Sequence, residues 1–335
     1  MKLQKLVIVF ICFAVFAAVT SPVSAQLPRV HVGYSAISGD QLPLWVGKET
    51  GIFEKNGLDV QPIFFTGGST AILALVSGDV PITQVSGPAL VNSSLAGSEA
   101  VFIAGGMTSL NYVLMGKPGI KSAEQLKGGT VAISRFGSAT DTIARFALKK
   151  IGLTPGKDVT IVQVGSGPDR LAAALTGRVT ASVINPPSSF QAEKKGMTVI
   201  ADVAKLGLAF QHTAPATTKK YIKEHQDIVR RYVKGHVEAV HRMWTDKETT
   251  IKVLGKYMGG GVDREFLEKT RENVLTEALY PKKQMPTMEG LKFVIDDLSE
   301  RDPRAKTAKP EQFVDLTFIK ELDQSGFIDG LYKKK

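Results

Sequence analysis

Histidine, cysteine and carboxylate side chains are the groups that most often do chemistry, and their spacing in this 335-residue chain forms no catalytic or metal-binding pattern. None of the five histidines belongs to an H-E-x-x-H arrangement. His236 and His241 are five residues apart, which places them on different faces of a helix. G-x-S-x-G, the Walker A pattern and G-x-G-x-x-G are also missing from the sequence. We therefore expect no catalytic residue, no metal ligand and no cofactor.

Small polar residues cluster instead in four turns, each between a predicted strand and a predicted helix. The turns cover residues 35–41, 67–70, 86–87 and 135–141. In open α/β sheets, ligands bind beyond the carboxyl ends of the strands, where free N–H groups at helix starts face outward. Glycine at positions 67 and 68 lets the backbone approach a ligand closely. Together the turns predict a site for a ligand with acceptor or anionic groups.

Arg135 is the charged residue best placed to act in such a site. It follows an apolar strand and precedes a helix start, so its guanidinium is suited to clamp a carboxylate or a sulfonate. A surface salt bridge is the alternative role for Arg135, and helix N-capping is the alternative for Ser69 and Ser138. Aromatic residues available as apolar walls are Tyr34, Trp45, Tyr112 and Phe136.

Strands and helices alternate between residues 29 and 202, which is typical of α/β domains with a largely parallel sheet. One of the predicted strands covers residues 101–108. Residues 74–80 and 173–179 share a pattern of helix end, glycine and strand start, which suggests two similar lobes. From residue 217 onward we predict only amphipathic helices, over 219–244, 247–257, 263–279, 288–301 and 314–324.

The N-terminus is typical of a secretory signal peptide over residues 1–25. Lys2 and Lys5 precede an apolar run from residue 6 to residue 19, and Val23-Ser24-Ala25 offers small residues for cleavage. The run is shorter than the roughly 18 residues of a membrane-spanning helix. Cys12, the single cysteine, lies within this run, so the mature chain has no disulfide and no thiolate ligand.

Length and charge narrow the class of protein further. About 310 mature residues are too many for one comfortable core and indicate two domains. Removal of the signal peptide lowers the formal net charge from +10 to about +8. The basic residues are scattered and do not form a basic helix with interleaved aromatics, so we expect no nucleic-acid partner. A mild attraction for anionic solutes and a simple solvated surface both fit this charge.

The run Gly51-Ile52-Phe53-Glu54-Lys55-Asn56-Gly57-Leu58-Asp59-Val60 strongly resembles the GlfekeGldV signature of the SsuA/THI5-like (NMT1-like) substrate-binding proteins. The preceding residues 43–49 fit the same pattern. Residues 126–133 resemble the start of the second lobe in that family, and residues 221–232 resemble its return helix. The resemblance covers roughly residues 29 to 325, in order, and it is specific to the family rather than to a ligand.

The resemblance implies an α/β, type II periplasmic-binding-protein fold, with two lobes, a hinge and C-terminal helices packed on lobe 1. Lobe 1 would comprise residues 26–111 and 214–335, the second part helical, and lobe 2 would comprise residues 112–213. Crossovers are expected near residues 109–114 and 210–216. The ligand would lie between the lobes, and by position in the turns its binding residues would be Ser38, Gly68, Ser69, Ser86, Arg135, Ser138, Thr140 and Asn185.

As a function, the resemblance implies the periplasmic component of an ABC importer, which captures a small organic ligand by hinge closure. Its partners would be that ligand and a permease in the inner membrane, and we expect a monomer. Sulfonates, nitrate, pyrimidines and aromatic acids all remain open as ligands. Two alternatives stay open as well, a lyase or synthase on the same fold and a sensor module that presents its ligand to a receptor.

Overall fold

The computed structural model describes residues 26–206 and 208–333, and its strands form two five-stranded sheets. The expected signal peptide, residues 1–25, lies outside the described residues. In chain order, strands β1 to β10 are Arg29–Tyr34, Asp59–Phe64, Ile82–Val85, Ala100–Phe102, Val113–Gly116, Thr130–Ile133, Thr160–Gln163, Ala181–Ile184, Thr198–Asp202 and Ala214–Thr218. Helices α1 to α14 are Leu42–Glu49, Ile52–Lys55, Gly68–Ser77, Gly87–Leu95, Ala139–Lys150, Gly167–Leu175, Ser188–Lys194, Lys219–Glu224, Gln226–Thr245, Lys247–Tyr257, Arg264–Val274, Met288–Ser299, Thr317–Gln324 and Phe327–Tyr332.

Each sheet is built on three parallel strands. In the first sheet, of order β2-β1-β3-β10-β4, strand β1 pairs in parallel with β2 and β3. In the second, of order β7-β6-β8-β5-β9, strand β6 pairs in parallel with β7 and β8. An antiparallel strand, β10 or β5, extends each set. The chain therefore forms two α/β lobes of matching topology, and the carboxyl ends of three parallel strands meet at one edge of each sheet.

Burial along the strands explains why the sequence pattern predicts these lobes. Strands β3 and β8 are buried over their whole length, as expected for central strands covered on both faces. In β1, Val30 and Val32 are buried while Arg29 and His31 are exposed. The repeated segments 74–80 and 173–179 occupy equivalent places, because each ends a helix and leads into the central strand β3 or β8.

The chain passes twice between the sheets. It leaves the first sheet after Phe102 and enters the second at Val113, and it returns between Asp202 and Ala214. The strand predicted over residues 101–108 is therefore wrong beyond Phe102. The backbone there hydrogen-bonds to the returning segment outside the regular ladders, since the Met107 N–H donates to the Thr213 carbonyl at 2.9 Å. Strand β10 was missed, because Ala-Pro-Ala-Thr-Thr lacks the β-branched apolar alternation of a strand.

The C-terminal helices pack on lobe 1, as the fold class predicts. On α9, the Tyr232 ring stacks on the Phe53 ring with 5.2 Å between centroids. Gly235 permits this close packing, since a Cβ at that position would lie 2.7 Å from the Phe53 ring. The helix predicted over 219–244 is interrupted, because α8 and α9 meet at His225, whose φ is −137°. No helix among the described residues is long and apolar enough to cross a membrane.

Candidate ligand-binding site

A cavity lies between the two lobes, beyond the carboxyl ends of parallel strands from both sheets. Its volume is about 30 Å³, room for about two water molecules. The structure is therefore a closed form, in which turns from both lobes meet around a small polar space. The lining residues are Ser35, Ala36, Ile37, Ser38, Asp40, Gly68 and Ser86 from lobe 1, Ser134, Ser138, Ala139, Thr140, Ser166, Gly167, Arg170 and Asn185 from lobe 2, and Tyr112, His212 and Thr213 from the connections.

Six of the eight residues expected to bind the ligand line this cavity, namely Ser38, Gly68, Ser86, Ser138, Thr140 and Asn185. The other two, Ser69 and Arg135, lie beside it, where the lobes touch. Ser69 Oγ donates a hydrogen bond to the Phe136 carbonyl of the opposite lobe at 2.7 Å. Arg135 Nη1 donates to the carbonyl of its neighbour Ser134 at 3.1 Å. In this geometry Ser69 and Arg135 belong to the contact between the lobes rather than to the cavity wall.

Three hydroxyl groups form a cluster on the lobe 2 side of the cavity. The Ser134, Ser138 and Thr140 oxygens lie 2.8 to 2.9 Å from one another. Ser138 Oγ also contacts the Arg135 carbonyl at 2.7 Å, and the helix-capping bond that would explain Ser138 locally is not made in the described structure. Because hydroxyl protons can rotate between partners, the cluster can present a donor or an acceptor to a ligand.

Arg170 is the only arginine among the residues that line the cavity. Its side chain is buried, and Nε and Nη1 donate to the Val183 and Gly165 carbonyls at 2.9 and 2.6 Å. Among the described residues, no carboxylate lies within the 4.0 Å of a salt bridge to it. Burial lowers the pKa of the Arg170 guanidinium from its ordinary value, because the charged form loses hydration. An arginine nevertheless stays charged in proteins, so the cavity contains a cation held in place by carbonyls.

The first turn of α6 fixes Arg170 in this position. Ser166 and Asp169 form a reciprocal capping box, in which the Ser166 N–H donates to Asp169 Oδ2 at 3.0 Å and the Asp169 N–H donates to Ser166 Oγ at 3.3 Å. The Asp169 carboxylate therefore caps the start of α6. The neighbouring residue, Arg170, is left to reach across to the strand carbonyl of Val183.

On the lobe 1 side, Asp40, Thr213 and His212 form a buried chain of hydrogen bonds. The hydroxyls of Ser38 and Thr213 both donate to the Asp40 carboxylate, the second at 3.1 Å. Thr213 Oγ1 lies 2.8 Å from His212 Nδ1. Because the single hydroxyl proton of Thr213 goes to Asp40, the proton between Thr213 and His212 belongs to Nδ1. The ring therefore carries its lone pair on Nε2.

The charge state of His212 follows from its surroundings. Burial lowers the pKa of its imidazole below the ordinary 6.5, and the Asp40 charge opposes that shift only in part. His212 is therefore neutral at pH 7. Its Nε2 atom is fully enclosed and has no hydrogen-bond partner among the described residues. The same is true of Nδ2, a donor, on Asn185, which also lines the cavity.

Sequence reasoning missed Arg170, Asp40, His212 and Thr213 as cavity residues, and it proposed Tyr112 only as an apolar wall. A signal for Arg170 was present. Gly165-Ser166-Gly167 is a fifth glycine- and serine-rich turn after a predicted strand, and it leads directly to this arginine. Asp40 lies inside the first predicted turn, 35–41. His212 and Thr213 reach the cavity only because the chain returns to lobe 1 beside it, which no local pattern reveals.

Metal-ligating side chains do not gather anywhere in the described parts of the chain, since no group of three or more His, Cys, Asp or Glu residues could hold an ion there. The chemistry that the cavity offers is recognition by hydrogen bonds and charge. Its lining includes a buried cation, Arg170, and two enclosed atoms without a partner in the described structure, the donor Asn185 Nδ2 and the acceptor His212 Nε2.

Comparison with known proteins agrees with this architecture. YtlA of Bacillus subtilis, whose name describes a binding protein, is 22% identical over 242 residues, which are 71% of this chain and 72% of YtlA. A Brachyspira hyodysenteriae protein, named as an ABC transporter periplasmic binding protein, is 24% identical over 244 residues, 67% of this chain and 68% of that one. The solved alkanesulfonate-binding protein SsuA of Xanthomonas axonopodis pv. citri, bound to MOPS, has a TM-score of 0.68 at 17% identity, covering 86% of this chain and 96% of SsuA.

A match to a family model shows the family to which this chain belongs. The model described as the NMT1-like family matches residues 24–257, which is more than half of the chain. The match spans the first lobe's sheet, the whole second lobe and the helices of the return to lobe 1 through α10. It agrees with the family resemblance found in the sequence around Gly51–Val60. This protein belongs to the NMT1-like family and has the fold of the substrate-binding proteins of ABC transporters.

Proposed function

We propose that this protein is the periplasmic solute-binding component of an ABC importer and captures a small organic anion between its lobes. The observation that carries the proposal is the buried Arg170 guanidinium in the closed cavity, which lacks a carboxylate partner among residues 26–206 and 208–333. A buried charge is unfavourable unless it is paired. An anionic group of the ligand would supply the missing partner, with Asn185 Nδ2 as a second donor.

Closure of the lobes would then couple ligand binding to the change from the open to the closed conformation. In an open form the ligand first meets one lobe, and rotation about the two connections brings the second lobe onto it. Water leaves the cavity on closure, which strengthens each polar contact. Because only the closed form makes both sets of contacts, the ligand shifts the population toward that form.

The division into lobes is part of the same proposal. We place lobe 1 at residues 26–111 and 214–335 and lobe 2 at residues 112–213. These boundaries fall in the two segments that pass between the sheets. The hydrogen bonds between these segments, such as that from the His212 N–H to the Met107 carbonyl at 2.9 Å, favour a joint that bends as one unit.

Transport is supported by the relatives and by the sequence. The Brachyspira relative is named as part of an ABC transporter in the periplasm, and residues 1–25 have the pattern of a secretory signal. We propose that the closed, monomeric protein docks on an inner-membrane permease. We propose no catalysis, because Ser134, Ser138 and Thr140 contact one another and a carbonyl rather than a base that would activate them.

The test is isothermal titration of the mature protein with a panel of small anions, namely carboxylates, alkanesulfonates, nitrate and phosphate. We expect binding to at least one and a rise in the melting temperature with it. Arg170→Gln should weaken that binding about 10- to 150-fold, because hydrogen bonds to a charged group contribute about 1.5–3 kcal/mol. Arg135→Gln is the comparison variant, because it alters the contact between the lobes and not the cavity wall, and it should weaken binding less than Arg170→Gln does.

Two results would contradict the proposal. Absence of binding to the whole panel would exclude an anion-capturing protein. A larger loss of affinity in Arg135→Gln than in Arg170→Gln would mean that Arg135, the residue that the sequence suggested, binds the anionic group.

A further inference from the structure

The residues that line the cavity differ in the hydrogen-bonding chemistry that they offer. Lobe 2 presents donors, the Arg170 guanidinium and Asn185 Nδ2. The connection between the lobes contributes His212, whose acceptor Nε2 is enclosed and has no partner in the described structure. A ligand made only of acceptor oxygens would satisfy the donors of lobe 2 and leave this nitrogen without a donor.

The Nε2 lone pair is fixed by the residues behind it. The Thr213 hydroxyl donates to Asp40 Oδ2 at 3.1 Å and so must accept from His212 Nδ1, 2.8 Å away. A flip of the ring or a change of tautomer would break this chain inside the protein. The His212 ring is 2% exposed, so water does not replace the missing donor freely. His212 Nε2 can therefore accept one hydrogen bond from a ligand in the cavity.

The donor that it meets would be a neutral one. The Asp40 carboxylate, which also lines the cavity, already accepts hydrogen bonds from Ser38 and Thr213. The cavity residue whose ring nitrogen lacks a partner in the described structure, His212, is neutral. An ammonium group would bring two further N–H donors into a cavity of about 30 Å³. A hydroxyl or a single ring N–H would bring none.

We propose that the ligand is a small organic acid that also carries a neutral hydrogen-bond donor, its acid group held by Arg170 and its donor held by His212. The inference rests on the proposed function, since it names the class of anion that the same cavity selects. It also assigns His212 the role of a specificity residue, with Thr213 and Asp40 as the residues that position it.

The experiment compares acids of matched size by isothermal titration. The set is propanoate, lactate and alanine, with nitrate and ethanesulfonate as donor-free anions. Within the set, the hydroxy acid should bind on the order of ten- to a hundredfold more tightly than its parent, because the parent leaves a buried acceptor unpaired. Lactate should also bind more tightly than alanine.

His212→Phe should abolish the preference for the hydroxy acid, while His31→Phe, at an exposed histidine of β1, should preserve it. If His212→Phe does not fold, the inference is tested by the affinities of the unaltered protein for the hydroxy acid and for its parent acid. Equal affinities within the set, tighter binding of alanine than lactate, or binding of donor-free anions alone would overturn the inference while leaving anion capture in place. Failure of every anion to bind would instead overturn the proposed function.

Discussion

His236 shows how one buried residue can make stability depend on pH. It lies on α9 and is fully buried, and its Nε2–H is shared between the Gly105 carbonyl at 3.0 Å and Gln284 Oε1 at 2.9 Å. Burial lowers the pKa of His236 from 6.5 to about 4, although both hydrogen bonds act in the opposite direction. The folded protein therefore holds this histidine neutral at pH values where the unfolded chain protonates it.

We predict that acidification from pH 7 to pH 4 destabilises the fold through His236. The unfolded state binds the extra proton below pH 6.5, so this part of the stability is present above that pH and is lost as the pH falls toward 4. The loss is about 3 kcal/mol at its full extent. Urea unfolding at pH 7.0 and pH 4.5 measures it. His236→Gln should reduce the difference between the two pH values.

The matched control is His225→Gln, which alters a histidine that is exposed between α8 and α9. It should leave the pH dependence as it is in the unaltered protein. An equal pH dependence in His236→Gln and the unaltered protein would show that the proton uptake belongs to other groups.

At the level of single residues, the sequence predicted the small polar residues and glycines of the cavity better than it predicted the charged residue there. Serine, threonine and glycine in strand-to-helix turns were identifiable because turn position fixes where they lie. Arg135 was singled out for the same reason, yet its side chain turns toward Gly67 and Ser134 at the lobe contact. The direction of a long side chain depends on which backbone carbonyls are free nearby, as Gly165 and Val183 are for Arg170. That information exists only in the folded chain.

At the level of elements, the first connection between the sheets packs tightly against the backbone of other segments. Gly105 and Gly106 lie three and four residues after the end of β4, where the returning chain passes close by. A Cβ at Gly106 would overlap the carbonyl oxygen of Thr213, and a Cβ at Gly105 would lie 2.5 Å from that of Met285. Both neighbours are backbone atoms, which cannot rotate away as a side chain can.

We predict that Gly106→Ala destabilises the protein by roughly 2 kcal/mol or more, because the added methyl forces the two connections apart. It should also weaken ligand binding, since Thr213 is displaced together with the Asp40–His212 chain. Chemical unfolding and titration with the tightest-binding anion measure the two effects. Gly261→Ala is the control, because a Cβ there meets no atom of the described residues within 4 Å. Equal stability of the two variants would mean that the connections separate without strain.

The same close packing explains which elements the sequence could not predict. Residues 103–108 are apolar and glycine-containing, so they look like a continuing strand. They leave the ladder because their N–H groups find partners on two other segments, as when the Thr108 N–H donates to the Leu279 carbonyl at 2.8 Å. The long helices were easier to predict, because a 3.6-residue apolar repeat is visible without knowledge of neighbours. Their ends, such as the break at His225, depend on local backbone geometry.

At the level of the whole molecule, contacts between the lobes outside the cavity hold the closed form. Near Arg135, Ser69 reaches the Phe136 carbonyl at 2.7 Å. Farther along α5, the Phe146 and Phe293 rings meet at 5.6 Å between centroids. The exposed pair of Lys194 and Asp263 adds little, because solvent screens it. The two-lobed plan itself was predictable from alternating elements and family resemblance, whereas these contacts require both lobes in place.

The Ser69 contact gives the last prediction, which concerns the balance between open and closed forms. Ser69→Ala removes the hydrogen bond to Phe136 and leaves the cavity wall unchanged, since Ser69 is not among the lining residues. A typical hydrogen bond contributes about 1 kcal/mol, so the closed form should become roughly fivefold less favoured. Because ligand affinity depends on the closed population, the dissociation constant should rise by a similar factor.

Isothermal titration measures that affinity, and small-angle scattering with and without ligand measures closure. Ser77→Ala on the same helix is the control, because among the described residues its hydroxyl bonds only to Ala74 and Asp79, both in lobe 1. The melting temperature of the ligand-free protein should be similar in both variants, since opening is not unfolding. An unchanged affinity in Ser69→Ala would mean that the lobes are held by the apolar contacts near Phe146 and by the ligand itself.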